Sequence, residues 1–192
     1  IDRLLKKNVI LINFQEAVTR ILENRFPIDK CYVAFTFDDG FEECHSKIAP
    51  VLDEFGIKAA FFICPTFIEC DEIYRLKFLK DIVFTHSDKK PMNWKQVIDL
   101  KNNGHIIGSH TMDHVNLNSN HNSYDYQITE SHKIISEKLS ERCDYFAYPY
   151  GRIKDFSMEA LQKAKEKYEY IFSQDDYRNY FSFNGQVITE DI

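Results

Sequence analysis

The chain has 192 residues, of which 44% are hydrophobic and 15% aromatic, and its formal net charge at pH 7 is −6. This length and apolar content fit one domain covering residues 1–192, and the acidic balance without a basic block argues against a nucleic-acid partner. No apolar run approaches the roughly 20 residues of a membrane-spanning helix, so we predict no transmembrane segment.

The five cysteines are odd in number and form no CxxC pair. This pattern favours reduced thiols in the core or in loops over a disulfide framework or a structural zinc site. Because reduced thiols are typical of the cytosol, we expect a cytoplasmic rather than a secreted protein.

In the first half of the chain, short apolar runs alternate with helical patterns. Strands are predicted at 9–12, 31–37 and 57–64, and helices at 13–26 and 43–55. Asn13 and Glu16 have the spacing of a capping box, and Pro27 ends the first helix. The segment 65–92 has an irregular or weakly helical pattern.

The second half continues the alternation. Helices are predicted at 93–103, 124–142 and 157–167, and strands at 105–110, 145–148 and 168–173. Gly104 ends the first of these helices, and Ser123 caps the second. Several strands are apolar on both faces, which is typical of a parallel sheet covered by helices. The pattern does not separate a barrel from an open sheet, but in both folds functional groups lie at the carboxyl ends of the strands.

Reactive side chains follow two of these strands. The run AFTFDDG leads into Asp38 and Asp39, and the run HIIGSH leads into His110 and then His114. On a helical turn, a spacing of four places two imidazoles on one side. Two neutral imidazoles and one carboxylate can bind a divalent ion and leave coordination positions open. We therefore predict that one aspartate binds a metal ion and the other acts as a general base.

Each pattern has a plainer interpretation. An HxxxH spacing also occurs on surface helices, and a DD pair also forms turns and helix caps. Their joint placement at separate strand ends is what favours a metal site. The remaining histidines have structural interpretations: His132 on an apolar stripe, His45 and His105 near the starts of elements, and His86 and His121 in polar loops.

Three motifs, in their order along the chain, resemble the polysaccharide deacetylase family, also called the NodB-homology domain of the family 4 carbohydrate esterases. They are TFDDG at 36–40, SHTMDH at 109–114 and FAYPYG at 146–151. The resemblance covers about residues 9–175. It implies an α/β fold, a distorted (β/α) barrel with about seven parallel strands in a single domain. It also implies a metal-dependent hydrolase that removes an N-acetyl group from an amino sugar in a polysaccharide or its precursor.

The resemblance implies roles for individual residues. Asp39, His110 and His114 would bind one divalent metal ion, with zinc as the default and cobalt, nickel or manganese as alternatives. Asp38 would be the general base that takes a proton from the attacking water. The backbone N–H of Tyr150 would help to hold the oxyanion.

The same resemblance suggests contacts with an N-acetylated saccharide substrate. Ser109, Pro149 and Tyr150 are the candidate substrate-binding residues, and Ser109 or Thr111 is a candidate for positioning the second motif. Aromatic side chains are further candidates for stacking on sugar rings, although packing in the core or at the surface explains them equally well: Trp94, Tyr177, Tyr180, Phe181 and Phe183.

Two departures from the family pattern concern proton transfer. Many members carry an arginine in the third motif that pairs with the base, whereas this chain has Ala147, with Arg152 as the nearest candidate replacement. Many members also carry a late histidine as general acid, and no histidine follows residue 132 here. The leaving nitrogen would then be protonated by Asp38, by water, or by Asp175 or Asp176.

Other functions fit part of the pattern. A deformylase or an O-acetyl esterase would use the same metal and base, and an inactive sugar-binding module would explain the two departures. A metallophosphoesterase or nuclease would usually gather more carboxylates or a second metal. For a cytoplasmic deacetylase, a nucleotide- or lipid-linked sugar of surface polysaccharide biosynthesis is the expected setting.

Overall fold

The computed structural model describes residues 1–23, 25, 30–85, 88–118, 123–174, 178–181 and 187–190, the last two ranges as strands without side chains. Seven strands are parallel: β1 (Ile10–Leu11), β2 (Tyr32–Val33), β3 (Thr36–Phe37), β4 (Ala60–Ile63), β5 (Ile106–Ser109), β6 (Tyr145–Ala147) and β7 (Tyr170–Phe172). β1 pairs with β2, and the other five form a curled sheet in the order β3-β4-β5-β6-β7. This arrangement confirms the predicted distorted (β/α) barrel in a single domain.

Helices connect the strands and cover the sheet. They are α1 (Asp2–Leu5), α2 (Phe14–Leu22), α3 (Ala49–Glu54), α4 (Glu72–Lys77), α5 (Trp94–Asn102), α6 (Ser131–Leu139) and α7 (Met158–Lys165). Single π-helical segments precede α3 and α6 and follow α4, at Cys44–Ile48, Asp125–Glu130 and Phe78–Ile82. Across the described ranges, no helix combines the length and the apolar character that a bilayer crossing requires.

One helix and one hairpin were not predicted, and one predicted strand is divided. The helix α1 and an antiparallel hairpin of β8 (Arg178–Phe181) and β9 (Val187–Glu190) were missed. The strand expected at 31–37 is two short strands, because β2 pairs with β1 whereas β3 pairs with β4 in the larger sheet. Alternation of apolar residues marks an extended segment but carries no information about where the chain changes partners.

The predicted capping box at the start of α2 is wrong. Asn13 is the N-cap residue, but its side chain accepts a hydrogen bond from the backbone N–H of Lys58 at 2.8 Å instead of capping the helix. Glu16 pairs with Arg20 one turn later. The helix also ends at Leu22, before the stretch that was expected to continue it. The Asn13 side chain therefore joins α2 to the segment entering β4.

The alternate side chains of β4 serve two hydrophobic clusters. Phe61 and Ile63 pack into the larger cluster, which also contains side chains of α3, α5, α6 and α7. Ala60 and Phe62 face the opposite way and pack with Phe14 and other side chains of a smaller cluster. Burial of both faces explains why this strand is continuously apolar, as predicted.

His105 has the structural role that the sequence indicated. It is buried, and its Nδ1 accepts a hydrogen bond from the backbone N–H of Ala59 at 3.1 Å, which joins β4 to the segment entering β5. His105→Leu is expected to lower the free energy of unfolding by roughly 1–3 kcal/mol, because the Ala59 N–H loses its acceptor. His105→Asn is the control, since its side-chain oxygen can replace Nδ1. Urea unfolding near neutral pH measures both.

The same hydrogen bond predicts a pH dependence. Burial lowers the pKa of His105 from its ordinary value of 6.5. The neutral ring therefore contributes stability above the unfolded-state pKa, and this contribution is lost as the pH falls toward the folded-state pKa. The stability difference between the native chain and His105→Leu should shrink from about pH 7 to about pH 5. A constant difference across that range would contradict this role.

Candidate metal centre and active site

The two aspartates lie where β3 ends. Asp39 adopts a left-handed backbone conformation with φ 73°, and Gly40 follows with φ 100°. Such a conformation costs a non-glycine residue of order 1–3 kcal/mol and is concentrated at functional sites. The turn places Asp39 so that its Oδ1 is buried without a hydrogen-bond partner among the described residues. An unpaired buried carboxylate oxygen is costly unless a cation occupies the space next to it.

The two histidines follow β5, but not on a helical turn. Thr111 and His114 have φ values of 63° and 57°, so the segment is an irregular turn. The prediction that a helix brings the imidazoles together is therefore wrong in its mechanism. The pairing itself is present, since the rings of His110 and His114 lie with centroids 4.9 Å apart and nearly perpendicular.

Three side chains from these two strand ends converge. The Nε2 atom of His114 lies 3.3 Å from Oδ1 of Asp39, and Nε2 of His110 lies 3.9 Å from the same oxygen. One ligand atom from each of the three residues lies within 4.8 Å of the other two. Around a four-coordinate zinc with bonds of about 2.0–2.2 Å, ligand atoms are separated by roughly 3.3–3.5 Å. The spacing and the donor types fit one divalent ion.

The imidazoles are held in the state that binds metal. Nδ1 of His110 lies 2.7 Å from the backbone oxygen of Ala147, and donation to that carbonyl leaves the Nε2 lone pair directed at Asp39. Burial lowers the pKa of His110 to about 4. Burial, followed by the neighbouring His110, lowers the pKa of His114 to about 4. Both rings are therefore neutral near pH 7, and their lone pairs are available to a cation.

The environment of the two aspartates disfavours their ionised forms. Burial, and then repulsion from Asp38, raises the pKa of Asp39 to about 7. Burial also raises the pKa of Asp38, while the hydrogen bond from Gln174 and the proximity of His114 oppose that rise. A divalent cation at the three ligand atoms would offset both the desolvation and the mutual repulsion.

A hydrogen-bond network around Gln127 supports the histidine turn. Oε1 of Gln127 accepts from the backbone N–H groups of Met112 and Asp113, both at 3.1 Å, and its Nε2 donates to the Asp113 carboxylate at 2.9 Å. The hydroxyl of Tyr74 donates to the other Asp113 oxygen at 3.3 Å. These contacts fix the turn between His110 and His114. Gln127 could not be identified from the sequence, because a single glutamine near a helix start gives no signal.

The third motif places Tyr150 beside the cluster. Its ring packs edge-on against His114 with centroids 5.2 Å apart, and its side chain is 40% exposed. The residue has φ 66°, and its backbone N–H makes no hydrogen bond to any residue that the structure describes. Pro149, which precedes it, is buried, and its fixed φ restricts the backbone that leads into this turn.

Ser109 lies inside the protein rather than at the site surface. It is fully buried, and its hydroxyl lies 2.9 Å from the hydroxyl of Ser131, which in turn lies 3.1 Å from that of Tyr168. Of the two roles considered for it, this placement favours positioning the second motif over contact with substrate. Thr111 is also buried, and its hydroxyl accepts a hydrogen bond from the backbone N–H of Val115 at 3.3 Å.

The donor to Asp38 differs from the expected one. Arg152 pairs with Asp155, with Nε and Oδ2 2.7 Å apart. Instead, Nε2 of Gln174, which follows β7, donates a hydrogen bond to Oδ2 of Asp38. Gln174 was missed because the two residues are 136 positions apart in sequence.

The other residues considered in the sequence either pack or pair away from this cluster or lie outside the described residues. Trp94 is buried in the main core with the ammonium of Lys138 over its ring, so it is not placed for sugar stacking. His132 packs edge-on against Tyr168, and Nε2 of His45 lies 3.7 Å from Oδ2 of Asp99. Outside the described residues lie His86, His121, Asp175, Asp176, Tyr177 and Phe183, and the side chains of Tyr180 and Phe181 are likewise not described.

Fold and site together define a class: a parallel (β/α) barrel with an Asp-His-His cluster and a second aspartate at the carboxyl ends of its strands. The family model for polysaccharide deacetylases matches residues 27–168. The chain belongs to the polysaccharide deacetylase family, as its motifs predicted.

Relatives and solved structures agree with this assignment. The chain is 30% identical over 129 residues to a peptidoglycan-N-acetylglucosamine deacetylase of Bacillus cereus, covering 66% of this chain and 39% of that protein. It is 25% identical over 151 residues to YxkH of Bacillus subtilis, provisionally named a polysaccharide deacetylase, covering 78% of this chain and 47% of that one. The matches thus span less than half the length of these relatives.

Among solved structures, the fold is similar to the Streptococcus pyogenes deacetylase PplD, determined in complex with acetate. The TM-score is 0.62 at 20% identity, covering 88% of this chain and 66% of PplD. This likeness supports the barrel architecture.

Proposed function

We propose that this chain is a metal-dependent deacetylase that removes the N-acetyl group from an amino sugar of a polysaccharide or its precursor. The observation that carries the proposal is the convergence of Asp39, His110 and His114 with Asp38 as the adjacent buried carboxylate. Family membership supports the carbohydrate deacetylase class. The named activity of the Bacillus cereus relative supports N-acetylglucosamine as the sugar for the first assays.

The three converging residues would hold one divalent ion, with zinc as the default from the two imidazoles and cobalt, nickel or manganese as alternatives. The orphaned Oδ1 of Asp39 and the Nε2 atoms of His110 and His114 are the donor atoms that fit it. When bound, such an ion supplies Lewis acidity toward the acetyl carbonyl and lowers the pKa of water.

The chain's own groups would carry the proton and hold the developing charge. Asp38 accepts a proton as the water oxygen bonds to the acetyl carbon, and the Tyr150 N–H donates to the oxygen that becomes negative. When the carbon–nitrogen bond breaks, the proton on Asp38 passes to nitrogen, which leaves as the amine while acetate is released. A single carboxylate can serve both steps, so no late histidine is required.

A deformylase or O-acetyl esterase would use the same residues, because each reaction passes through a comparable oxyanion. An inactive sugar-binding module is the alternative from another class. All of these alternatives would keep the same metal-binding residues. Comparing acyl-group release from different substrates therefore distinguishes them from an N-deacetylase. Membership of the polysaccharide deacetylase family argues against a metallophosphoesterase or nuclease.

The test is acetate release from N-acetylglucosamine oligomers by the purified chain, with metal content measured in parallel. Chelation should abolish release, and zinc or cobalt should restore it. Formylated and O-acetylated sugars are the comparison substrates, and faster release from either would replace the N-acetyl assignment. A chain that retains its metal but releases acyl groups from none of these substrates would be the binding module instead.

A further inference from the structure

The backbone of Gln174 is held in a fixed position beside the third motif. Its backbone N–H donates to the carbonyl oxygen of Gly151 at 3.0 Å, so the segment after β7 is fixed to the turn after β6. A Cβ atom added at Gly151 would lie 2.2 Å from Cβ of Gln174 and 2.6 Å from its nitrogen. Only glycine permits this approach, and Gly151 also has φ 71°. The backbone of Gln174 is therefore held independently of its side chain.

The side chain of Gln174 reaches the base. Its Nε2 donates to Oδ2 of Asp38, and Oδ1 of the same carboxylate is buried without a partner among the described residues. One oxygen is thus anchored and the other is left free. An anchored carboxylate keeps a single orientation, which is what a general base needs to receive a proton from a water in a fixed place.

We propose that Gln174 is a positioning residue for catalysis, which holds Asp38 so that its free oxygen accepts the proton of the attacking water. The inference rests on the proposed role of Asp38 as general base. The amide orients Asp38 without adding a charge to a site that would already hold a divalent cation. Arg152, the closer residue in sequence, is instead paired with Asp155.

The test compares two substitutions with one control. Gln174→Met keeps a side chain of similar length without a donor, and Gln174→Glu keeps its shape but places a second carboxylate against Asp38. Gln162→Met changes another exposed glutamine, on α7, and is the matched control. The backbone bond to Gly151 remains possible in both Gln174 variants, so the fold should be retained.

Gln174→Met is expected to lower kcat roughly 10–100-fold, the effect of losing a hydrogen bond to a charged group, with KM, metal content and Tm unchanged. Gln174→Glu should lower kcat further, and Gln162→Met should leave it unchanged. In an Asp38→Asn background, Gln174→Met should cause no additional loss, because the group it positions no longer acts as a base. A merely structural residue would instead lower Tm or metal content and would remain additive with Asp38→Asn.

An active native chain whose Gln174→Met and Gln174→Glu variants retain full kcat would overturn this inference alone. A native chain that holds metal and releases no acyl group would overturn the proposed function, and this inference with it.

Discussion

Asp39→Ala is expected to eliminate metal binding and to reduce acetate release to the uncatalysed background. The substitution removes the only carboxylate of the Asp-His-His cluster, and two imidazoles bind a divalent ion much more weakly than three ligands with a negative charge. Since loss of an outer partner of a ligand already costs about 10–100-fold in metal affinity, loss of the ligand itself should exceed roughly 100-fold. Metal analysis after dialysis, with the exposed Asp81→Ala as control, measures this.

Asp39→Ala should not lower the thermal stability of the metal-free chain. Burial and repulsion raise the pKa of Asp39 to about 7, so in the metal-free chain the ionised carboxylate opposes folding at neutral pH. Metal-free Asp39→Ala should therefore unfold at a Tm no lower than that of the metal-free native chain, whereas added zinc should stabilise only the latter. Zinc bound to Asp39→Ala with native stoichiometry and affinity would contradict the assigned site.

Asp38→Asn is expected to keep the metal and lose turnover. The amide preserves the size of the side chain but does not accept a proton, and general acid–base catalysis typically contributes 10²–10⁴-fold, so kcat should fall by about that factor. KM and zinc content should change little, because Asp38 is not among the three converging ligands. Steady-state assays on N-acetylglucosamine oligomers, with zinc measured on the same preparation, test this.

The contrast between these two variants is the sharpest check on the division of roles. Asp39→Ala should lose metal and activity together, and Asp38→Asn should lose activity alone. Full turnover by Asp38→Asn would remove this residue as the base. Loss of metal from Asp38→Asn would place both aspartates in the metal site.

The residues of the candidate site could be predicted from the sequence alone. Asp38, Asp39, His110 and His114 were identified from their residue types and from their positions after apolar strands. Those signals are local, because the period of apolar residues marks a strand and the residue that follows marks its end. In a parallel sheet covered by helices, the carboxyl ends of neighbouring strands meet at one edge, so the convergence was predictable without coordinates.

How those residues are held could not be predicted, because it depends on contacts between segments that are distant in sequence. The partner of Asp38 was sought near the third motif at Arg152, but the barrel brings Gln174 to it from the end of another strand. The carbonyl of Ala147 orients His110, and Gln127 holds the turn between His110 and His114. Each of these contacts joins segments that are 14 to 136 residues apart. Such contacts depend on the register and curvature of the whole sheet. Neither the register nor the curvature can be predicted from residue types and local spacing in a single sequence.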